Sequence, residues 1–364
     1  MNNKNSGVDI DLGNACSKNA YSWAKKTFVN RAGKAGEPRI GVDGAFSNVL
    51  KFKDARIGIS SDGVGTKIEL AERTGIYHTI GHDLMAMTVD DLAANGFEAT
   101  SISNIIDLDF LDYHIIDAMM QGLHEAAALA GVAVTGGEIA ELGPRMNGYG
   151  DKMHFNWCAT AIGILPDVLD GPIDGTAVHA GDIIISLKSR GFRSNGFSLV
   201  RQVMTDAFGN DWHTTQYDDE KTWGEMLLTP SIIYTRMITD LVEHGILPTG
   251  IAHITGGGLA DNLGRALKAS GLGAELTNIF APADFVKNLQ ERGKISEEQA
   301  YRIWNMGNGM IVIVRPADAD SAITRMGEMG FEAQVAGCIL PKSGITIETK
   351  GCHPTTLRYT DTNK

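Results

Sequence analysis

The sequence predicts an α+β (mixed α/β) protein of two domains with a glycine-rich cleft between them. Strand-like and helix-like segments are interspersed in both halves of the 364-residue chain, which favours packed layers of sheet and helix. Residues 166–181 contain two prolines and several glycines and show no helical period, so we place the boundary there and predict domains at 1–166 and 167–364. The 43 glycines, about 12% of the chain where about 7% is usual, indicate many turns or close approaches of backbone to a ligand.

In the first half, short apolar runs beside glycine-rich turns predict strands, and amphipathic runs that stop at a glycine predict helices. The predicted strands are residues 55–61, 132–135 and 154–164. The predicted helices are a short one near 21–29, then 83–95 before Gly96 and 114–130 before Gly131.

The same patterns continue in the second half of the chain. The predicted strands are residues 182–187, 250–254, 309–314 and 331–340. The predicted helices are residues 195–207, 230–244, 316–329 and one that follows three consecutive glycines and runs to 269.

Charge and cysteine content restrict the class of protein. The net charge of −12 argues against a general nucleic-acid or membrane surface, since both favour a basic face. No apolar run approaches the roughly 18 residues that span a membrane, and the polar residues 1–14 do not resemble a signal peptide. The four cysteines include no C-x-x-C pair, which excludes a zinc ribbon and suits a reducing compartment. We predict a cytoplasmic protein that binds neither nucleic acid nor membrane.

The segment SDGVGTK follows the first predicted strand and has features of a phosphate-binding loop. Gly63 and Gly65 let the backbone turn tightly beside Thr66 and point N–H groups at an anion. Lys67 would add a positive charge for phosphate, and Asp62 could hold a divalent cation. The spacing is not that of a Walker A loop. A plain turn with a surface lysine is an equally weighted alternative.

The segment GHDLMAMTVDDL carries three acids on a predicted helix. Asp83 stands at the expected N-cap. Asp90 and Asp91 are adjacent, so they point about 100° apart and only one can face a site well. Paired acids beside a phosphate loop suit magnesium, and a solvated helix face is the alternative.

The segment TGGEIAE places two glycines and two acids after a predicted strand. If a helical turn follows Gly136 and Gly137, then Glu138 and Glu141 share one face. Ligands often bind at such strand ends, which favours function over a helix N-terminus that merely accommodates acids.

The segment SRGFRSNG predicts an anion site at a strand-to-helix junction. Arg190 and Arg193 suit bidentate phosphate contacts beside Ser194 and Asn195. The alternative is a capped turn with Ser194 or Asn195 as the N-cap.

The segment HITGGGL puts three glycines at a helix start. Because consecutive glycines cost stability, we expect the backbone of Gly256, Gly257 and Gly258 to approach a ligand beside Thr255. His253 is either a ligand-facing group or a satisfied buried histidine, at even weight.

Each motif is weak alone, but their order resembles the phosphoribosylformylglycinamidine cyclo-ligase family. The matching blocks start near the N-terminus and extend beyond residue 310: GVDIDLGN, SDGVGTK, GHDLMAMTVDDL, TGGEIAE, RSNGFSLVR, LTPSIIY, HITGGGLADNLGR and NMGNGM. The resemblance implies two domains, a homodimer formed by the N-terminal sheets, and ATP with Mg²⁺ bound in the cleft. It also implies conversion of formylglycinamidine ribonucleotide to aminoimidazole ribonucleotide, ADP and phosphate.

The resemblance and the motif chemistry together assign the site residues. Magnesium is assigned to Asp62 and Asp91. Catalytic roles are assigned to Lys67, Asp91, Glu141, Arg193 and His253. Nucleotide binding is assigned to Asp62, Gly63, Gly65, Thr66, Lys67, Gly136, Gly137, Glu138, Ser194, Asn195, Thr255, Gly256, Gly257, Gly258 and Asn305.

The chain departs from the family pattern in several places: at Asp90, Ile139, Arg193, Asp261-Asn262, Gly264 and Trp304. The family usually has Asn where this chain has Asp90 and His where it has Arg193. Because a guanidinium stays protonated, Arg193 cannot transfer a proton, and we predict that it contacts a phosphate. The alternatives are another ATP-using enzyme of the superfamily, such as a selenophosphate synthetase or thiamine monophosphate kinase, or a nucleotide-binding homologue without catalysis.

Overall fold

The computed structural model describes residues 28–33, 37–39, 48–53 and 55–360. The helix predicted near 21–29 lies outside these residues except at its end, where Phe28–Arg31 form a 3-10 turn. None of the helices in the described part of the chain is long and apolar enough to cross a bilayer.

The first half of the chain forms a six-stranded sheet. Its strands are β1 (Glu37–Arg39), β2 (Asn48–Lys51), β3 (Arg56–Gly63), β4 (Glu98–Leu108), β5 (Ala133–Glu141) and β6 (Phe155–Ile164). The spatial order is β1-β2-β3-β6-β4-β5, and every neighbouring pair is antiparallel except β4 and β5. β5 is therefore an edge strand of this sheet.

Three helices accompany this sheet: α1 (Ile68–Thr74), α2 (Ile80–Ala93) and α3 (Tyr113–Ala130). α2 packs against β3 and β6 and against α3. Two glycines permit the close approach near the start of α2, since a β-carbon on Gly81 would lie 2.3 Å from the amide nitrogen of Leu123 and one on Gly122 would lie 1.7 Å from the His78 carbonyl oxygen. Gly131, in the left-handed conformation, ends α3 as predicted.

The second half forms a seven-stranded sheet of order β13-β12-β9-β11-β7-β10-β8. Its strands are β7 (Ile183–Lys188), β8 (Gly250–His253), β9 (Gly273–Leu276), β10 (Asn308–Val314), β11 (Ala333–Leu340), β12 (Gly344–Glu348) and β13 (Thr356–Tyr359). The helices are α4 (Phe197–Phe208), α5 (Trp223–Leu227), α6 (Thr235–Glu243), α7 (Gly258–Leu267), α8 (Asp284–Arg292), α9 (Glu297–Ile303) and α10 (Ala319–Glu328).

The mixed α/β class predicted from the sequence is confirmed, and several element bounds differ. α2 begins at Ile80, so Asp83 lies inside the helix and not at its N-cap. The helix predicted at 230–244 begins only at Thr235, after an irregular segment. The long strand β4, the short strands β1, β2, β9, β12 and β13, and the helices α1, α5, α8 and α9 were not predicted. The division at residue 166 stays a prediction.

α2 is the element that brings the two halves of the chain together. One side of it lies against the first sheet, while it also contacts α6 and β8 of the second half. Its C-terminal end carries Asp90 and Asp91. The functional side chains of both halves therefore meet around the end of this helix.

Candidate functional site

Three glycine-containing loops meet at the junction between the two halves. A β-carbon on Gly65, whose φ is 67°, would lie 3.9 Å from the carbonyl oxygen of Ser194. One on Gly256 would lie 3.5 Å from the side-chain nitrogen of Asn195. The structure thus brings SDGVGTK, RSNG and TGGG together, with Thr66 and Gly256 exposed to solvent at the same place.

Two polar side chains between these loops have no hydrogen-bond partner within the protein. The hydroxyl of Ser194 and the side-chain oxygen of Asn195 are both buried and unbonded. Buried polar atoms are nearly always hydrogen-bonded, so these two fit a ligand that supplies the missing partners. Gly196 occupies the N-cap of α4 without a side-chain cap. The alternative that Ser194 or Asn195 is the N-cap residue is therefore wrong.

Asp62 and Asp91 form a pair of carboxylates beside the loops. Asp62, the penultimate residue of β3, lies on the same face as Ser60, whose hydroxyl is 3.4 Å from Asp91 Oδ2. Loss of hydration raises the pKa of Asp62 to about 6, with a further contribution from the charge of Asp91. Burial likewise raises the pKa of Asp91 to about 7. Two adjacent carboxylates that resist ionisation in the absence of a cation suit a divalent metal.

Two carboxylates are typical of a magnesium site and too few for a metal site built wholly from protein side chains. In the described ranges no cluster of three or more His, Cys, Asp or Glu side chains could hold a metal. Magnesium usually takes one or two carboxylates and completes its shell with water and substrate phosphates. Asp62 and Asp91 next to the unbonded Ser194 and Asn195 provide that arrangement.

A buried chain of hydrogen-bonded polar side chains lies directly behind Asp91. Arg193 Nη2 is 2.9 Å from Asp90 Oδ2 and 2.8 Å from His253 Nε2. His253 Nδ1 is 2.8 Å from Asp91 Oδ1. Burial, together with the neighbouring Arg193, lowers the pKa of His253 to about 3. His253 is therefore neutral at physiological pH.

The structure distinguishes the two adjacent aspartates that the sequence left open. The side chain of Asp91 is 19% exposed, and it faces the cleft. Asp90 is fully buried, and its Oδ1 accepts hydrogen bonds from the backbone N–H groups of Tyr234 and Thr235 at 2.8 and 2.9 Å. Asp90 thus caps the N-terminus of α6 while its other oxygen binds Arg193.

Arg193 does not occupy the position that the sequence predicts for a phosphate ligand. It is 1% exposed, and its Nε and Nη1 atoms are sealed from solvent without a partner. Its guanidinium carbon lies 5.1 Å from the centre of the Tyr234 ring. A phosphate could reach it only after a rearrangement, so the geometry favours a role behind the cleft.

Lys67 is likewise enclosed. Its Nζ lies 2.7 Å from Asp83 Oδ2 and donates to the Thr229 carbonyl at 2.9 Å, and both charged side chains are 0% exposed. Asp83 Oδ1 accepts from the N–H and hydroxyl groups of Ser231. The alternative of a surface lysine is therefore wrong, and the charge predicted to bind phosphate is already paired. Asp83, expected as an N-cap, is the counterion.

The three consecutive glycines serve different purposes. Gly257 and Gly258 have φ values of 94° and 70°, and a β-carbon on Gly258 would lie 1.9 Å from the Tyr301 carbonyl. Helix entry and packing therefore explain these two, whereas only Gly256 is open to the cleft. Asn305 is buried and bonded to the backbone of Gly191 and Gly307, so it shapes the loop without offering free polar atoms.

The condition under which Glu138 and Glu141 of TGGEIAE would share one face, a helical turn directly after Gly136 and Gly137, is not met. The segment continues as edge strand β5, where Glu138 and Glu141 point to opposite faces. One row across the sheet runs from Asp62 through Ala159 and Asn104 to Gly137. Three strand spacings put Gly137 roughly 14 Å from Asp62. The structure of the chain does not bring these residues into the cleft.

Two residues near Asp91 were missed by the sequence analysis. Ser60 bonds to Asp91, and alternation along β3 could have identified it, because it shares a face with Asp62. The positive charge of Arg265 on α7 acts on Asp91 and favours its ionised form. Arg265 is the last residue of the block HITGGGLADNLGR, and that position could have identified it as a candidate site residue.

Comparison with protein families identifies the two halves of the chain. Residues 44–165 match the family described as "AIR synthase related protein, N-terminal domain", and residues 179–350 match "AIR synthase related protein, C-terminal domain". Together the two matches cover most of the chain.

Solved structures with the same fold have low sequence identity. Thiamine-monophosphate kinase from Stenotrophomonas maltophilia aligns with a TM-score of 0.61 at 14% identity over 90% of this chain and 96% of that protein. AaThiL complexed with AMPPCP and TMP aligns with a TM-score of 0.59 at 13% identity over 87% and 91%. These likenesses establish the fold alone.

Relatives of higher identity decide the family. Phosphoribosylformylglycinamidine cyclo-ligase from Thermococcus kodakarensis is 34% identical over 345 residues, which are 95% of this chain and 97% of that protein. The enzyme of the same name from Thermoanaerobacter pseudethanolicus is 35% identical over 95% of this chain and 100% of its own length. The resemblance read from the ordered motifs is thereby confirmed, and the chain belongs to the phosphoribosylformylglycinamidine cyclo-ligase family.

Proposed function

We propose that the protein catalyses the ATP-dependent cyclisation of formylglycinamidine ribonucleotide to aminoimidazole ribonucleotide, with ADP and phosphate as products. The observation that carries the proposal is the cleft, where Ser194 and Asn195 lack partners next to the carboxylates of Asp62 and Asp91. Relatives named for this activity match 95% of the chain. The activity belongs to purine biosynthesis and is that of a carbon–nitrogen bond-forming ligase.

The residues of the cleft suit the first half of this chemistry. The glycine loops and Ser194 would bind the phosphates of ATP, and Asp62 and Asp91 would hold Mg²⁺. A bound Mg²⁺ would supply positive charge for the transferred phosphoryl group. That group goes to the formyl oxygen of the substrate and makes it a leaving group. The amidine nitrogen then attacks the same carbon within one molecule, where proximity supplies much of the rate.

Two other functions have less support. Thiamine-monophosphate kinase and similar ATP-using proteins share the fold at 13–14% identity, far below the 34–35% of the cyclo-ligases. A nucleotide-binding homologue without catalysis was suggested by the changes at Asp90 and Arg193. These two side chains are ion-paired to each other behind the cleft, so they leave Asp62 and Asp91 in place.

Turnover of the substrate tests the function directly. The purified protein with formylglycinamidine ribonucleotide, ATP and Mg²⁺ is expected to release one ADP for each aminoimidazole ribonucleotide formed. The same assay with thiamine monophosphate in place of the substrate should give no ADP above the rate of ATP alone. Turnover of thiamine monophosphate, or binding of ATP without any turnover, would contradict the proposal.

We also infer that the protein is a homodimer formed through the first sheet. The face of this sheet opposite α2 exposes the large apolar side chains of Ile105, Ile162 and Ile164, which are 42–44% exposed on the adjacent strands β4 and β6. Several large apolar side chains exposed on one face of a sheet are typical of an interaction site. Separately, we infer a cytoplasmic location, because the three described cysteines are all unpaired.

Light scattering should give a mass near twice 39.0 kDa at micromolar concentration. Ile162→Lys places a charge in the apolar face and is expected to shift the mass to that of a single chain. Val168→Lys is the matched control, because Val168 is also exposed but lies outside the sheet. A single-chain mass for the unaltered protein would exclude the dimer.

A further inference from the structure

We propose that Arg193, held by Asp90, acts as a positioning residue that fixes His253 in the tautomer with its proton on Nδ1, and that this tautomer orients the carboxylate of Asp91 in the cleft. This deepens the proposed function and rests on it for the role of Asp91. The assignment of the tautomer itself rests only on the geometry of the four side chains.

The direction of each hydrogen bond follows from the chemistry of arginine. A guanidinium has five N–H donors, no acceptor, and stays charged in proteins. The group 2.8 Å from His253 Nε2 is Arg193 Nη2, so Nε2 must be the acceptor and carries no proton. A neutral imidazole then has its proton on Nδ1, which lies 2.8 Å from Asp91 Oδ1. Arg193 therefore donates a hydrogen bond to His253, and His253 donates one to Asp91.

Arg193 is held firmly enough to impose this tautomer. Its backbone φ of 58° is uncommon for a residue with a side chain, and its side chain packs on the ring of Tyr234. Asp90 neutralises its charge and is itself anchored by two backbone N–H groups at the start of α6. The donor that faces His253 thus cannot rotate away without breaking several buried contacts.

The tautomer of His253 fixes the orientation of the Asp91 carboxylate in the cleft. His253 donates to Oδ1 and Ser60 donates to Oδ2, so both oxygens have a partner and the plane of the carboxylate is set. The opposite tautomer would present an unprotonated Nδ1 to Oδ1, which gives repulsion where there is now a hydrogen bond. Partners behind metal ligands usually matter in this way, since they orient the ligand.

Nuclear magnetic resonance of the protein without ligands tests the tautomer. Two-bond ¹⁵N–¹H correlation of ¹⁵N-histidine protein should show His253 protonated on Nδ1 only, with the signal assigned by its absence in His253→Asn. Protonation on Nε2, or on both nitrogens, overturns the proposal. This result does not depend on activity, so it stands or falls separately from the proposed function.

Variants test the effect on Asp91. Asp90→Asn/Arg193→Met removes the donor without leaving a buried charge unpaired, and it should let His253 populate both tautomers. The Mg²⁺ concentration for half-maximal ATP turnover should rise about 10–100-fold, and saturating Mg²⁺ should recover most of the turnover. Arg193→Lys keeps a donor-only cation beside Asp90 and should stay close to the parent in both measurements.

The matched control is the Arg–Asp pair elsewhere on the second half of the chain. Asp240→Asn/Arg325→Met removes a partly exposed pair between α6 and α10 and should change neither the tautomer nor the Mg²⁺ dependence. If Asp90→Asn/Arg193→Met also retains the parent tautomer and Mg²⁺ dependence, Arg193 is not the positioning residue.

Discussion

Asp91→Asn is expected to lower the turnover number roughly a thousandfold, because a metal ion's stabilisation of transition-state charge is worth several kcal/mol and each 1.4 kcal/mol is about a factor of ten. The substitution keeps the size of the side chain. An amide oxygen can still accept the hydrogen bond from His253 Nδ1 at the position now 2.8 Å away. What disappears is the negative charge that faces the cleft.

The thermal stability of Asp91→Asn is not expected to fall with its turnover. Burial raises the pKa of Asp91 to about 7, which means that the folded protein disfavours its charged form. Asp62 beside it adds repulsion when both are ionised. The melting temperature of Asp91→Asn is therefore expected to equal or exceed that of the parent, although its turnover is lost.

Kinetics, differential scanning calorimetry and titration with ATP and Mg²⁺ measure these quantities. Asp151→Asn is the matched control, because Asp151 is exposed in the turn before β6 and belongs to none of the three glycine-containing loops of the cleft. It should leave turnover, melting temperature and ATP binding unchanged. Parent-like turnover and Mg²⁺-dependent ATP binding in Asp91→Asn would remove Asp91 from the metal site.

Lys67→Met is expected to lower the free energy of unfolding by about 3–5 kcal/mol, because it leaves a buried carboxylate without its counterion. The ion pair with Asp83 spans 2.7 Å and is closed to solvent on both sides. Loss of the bond to the Thr229 carbonyl adds to the cost. This expectation differs from that of a phosphate-binding lysine, whose removal would weaken ATP binding and leave stability nearly unchanged.

Chemical denaturation followed by circular dichroism separates the two roles. Lys67→Met/Asp83→Asn should recover much of the lost stability, since the second change removes the unpaired charge and keeps an oxygen for Ser231. Lys188→Met breaks the exposed pair with Glu332, also 2.7 Å long, and should cost at most about 1 kcal/mol. A parent-like denaturation midpoint in Lys67→Met, with ATP binding lost, would restore the phosphate role.

Local pattern was sufficient for the fold class and for most long elements. The helices ending at Ala93 and Ala130 and the long strands β3 and β6 have strong periodicity or clear glycine punctuation. Local pattern failed at TGGEIAE. Its two glycines are compatible with a turn, but pairing of β5 with residues 101–108 of β4 keeps the segment extended. Non-local hydrogen bonds of this kind leave no short-range signal.

The sequence by itself determined the order of the glycine-rich blocks, and that order was enough to identify the family and to nominate Asp62 and Asp91. It treated Asp90 and Arg193 as two separate departures from the family pattern. Only the tertiary structure joined them, because residues 103 positions apart meet when α2 packs beneath the loop after β7. The same packing enclosed Lys67 against Asp83 and left Ser194 and Asn195 unbonded. Burial and pairing depend on contacts between distant segments, and they decide whether a charged side chain faces a ligand or another residue of the chain.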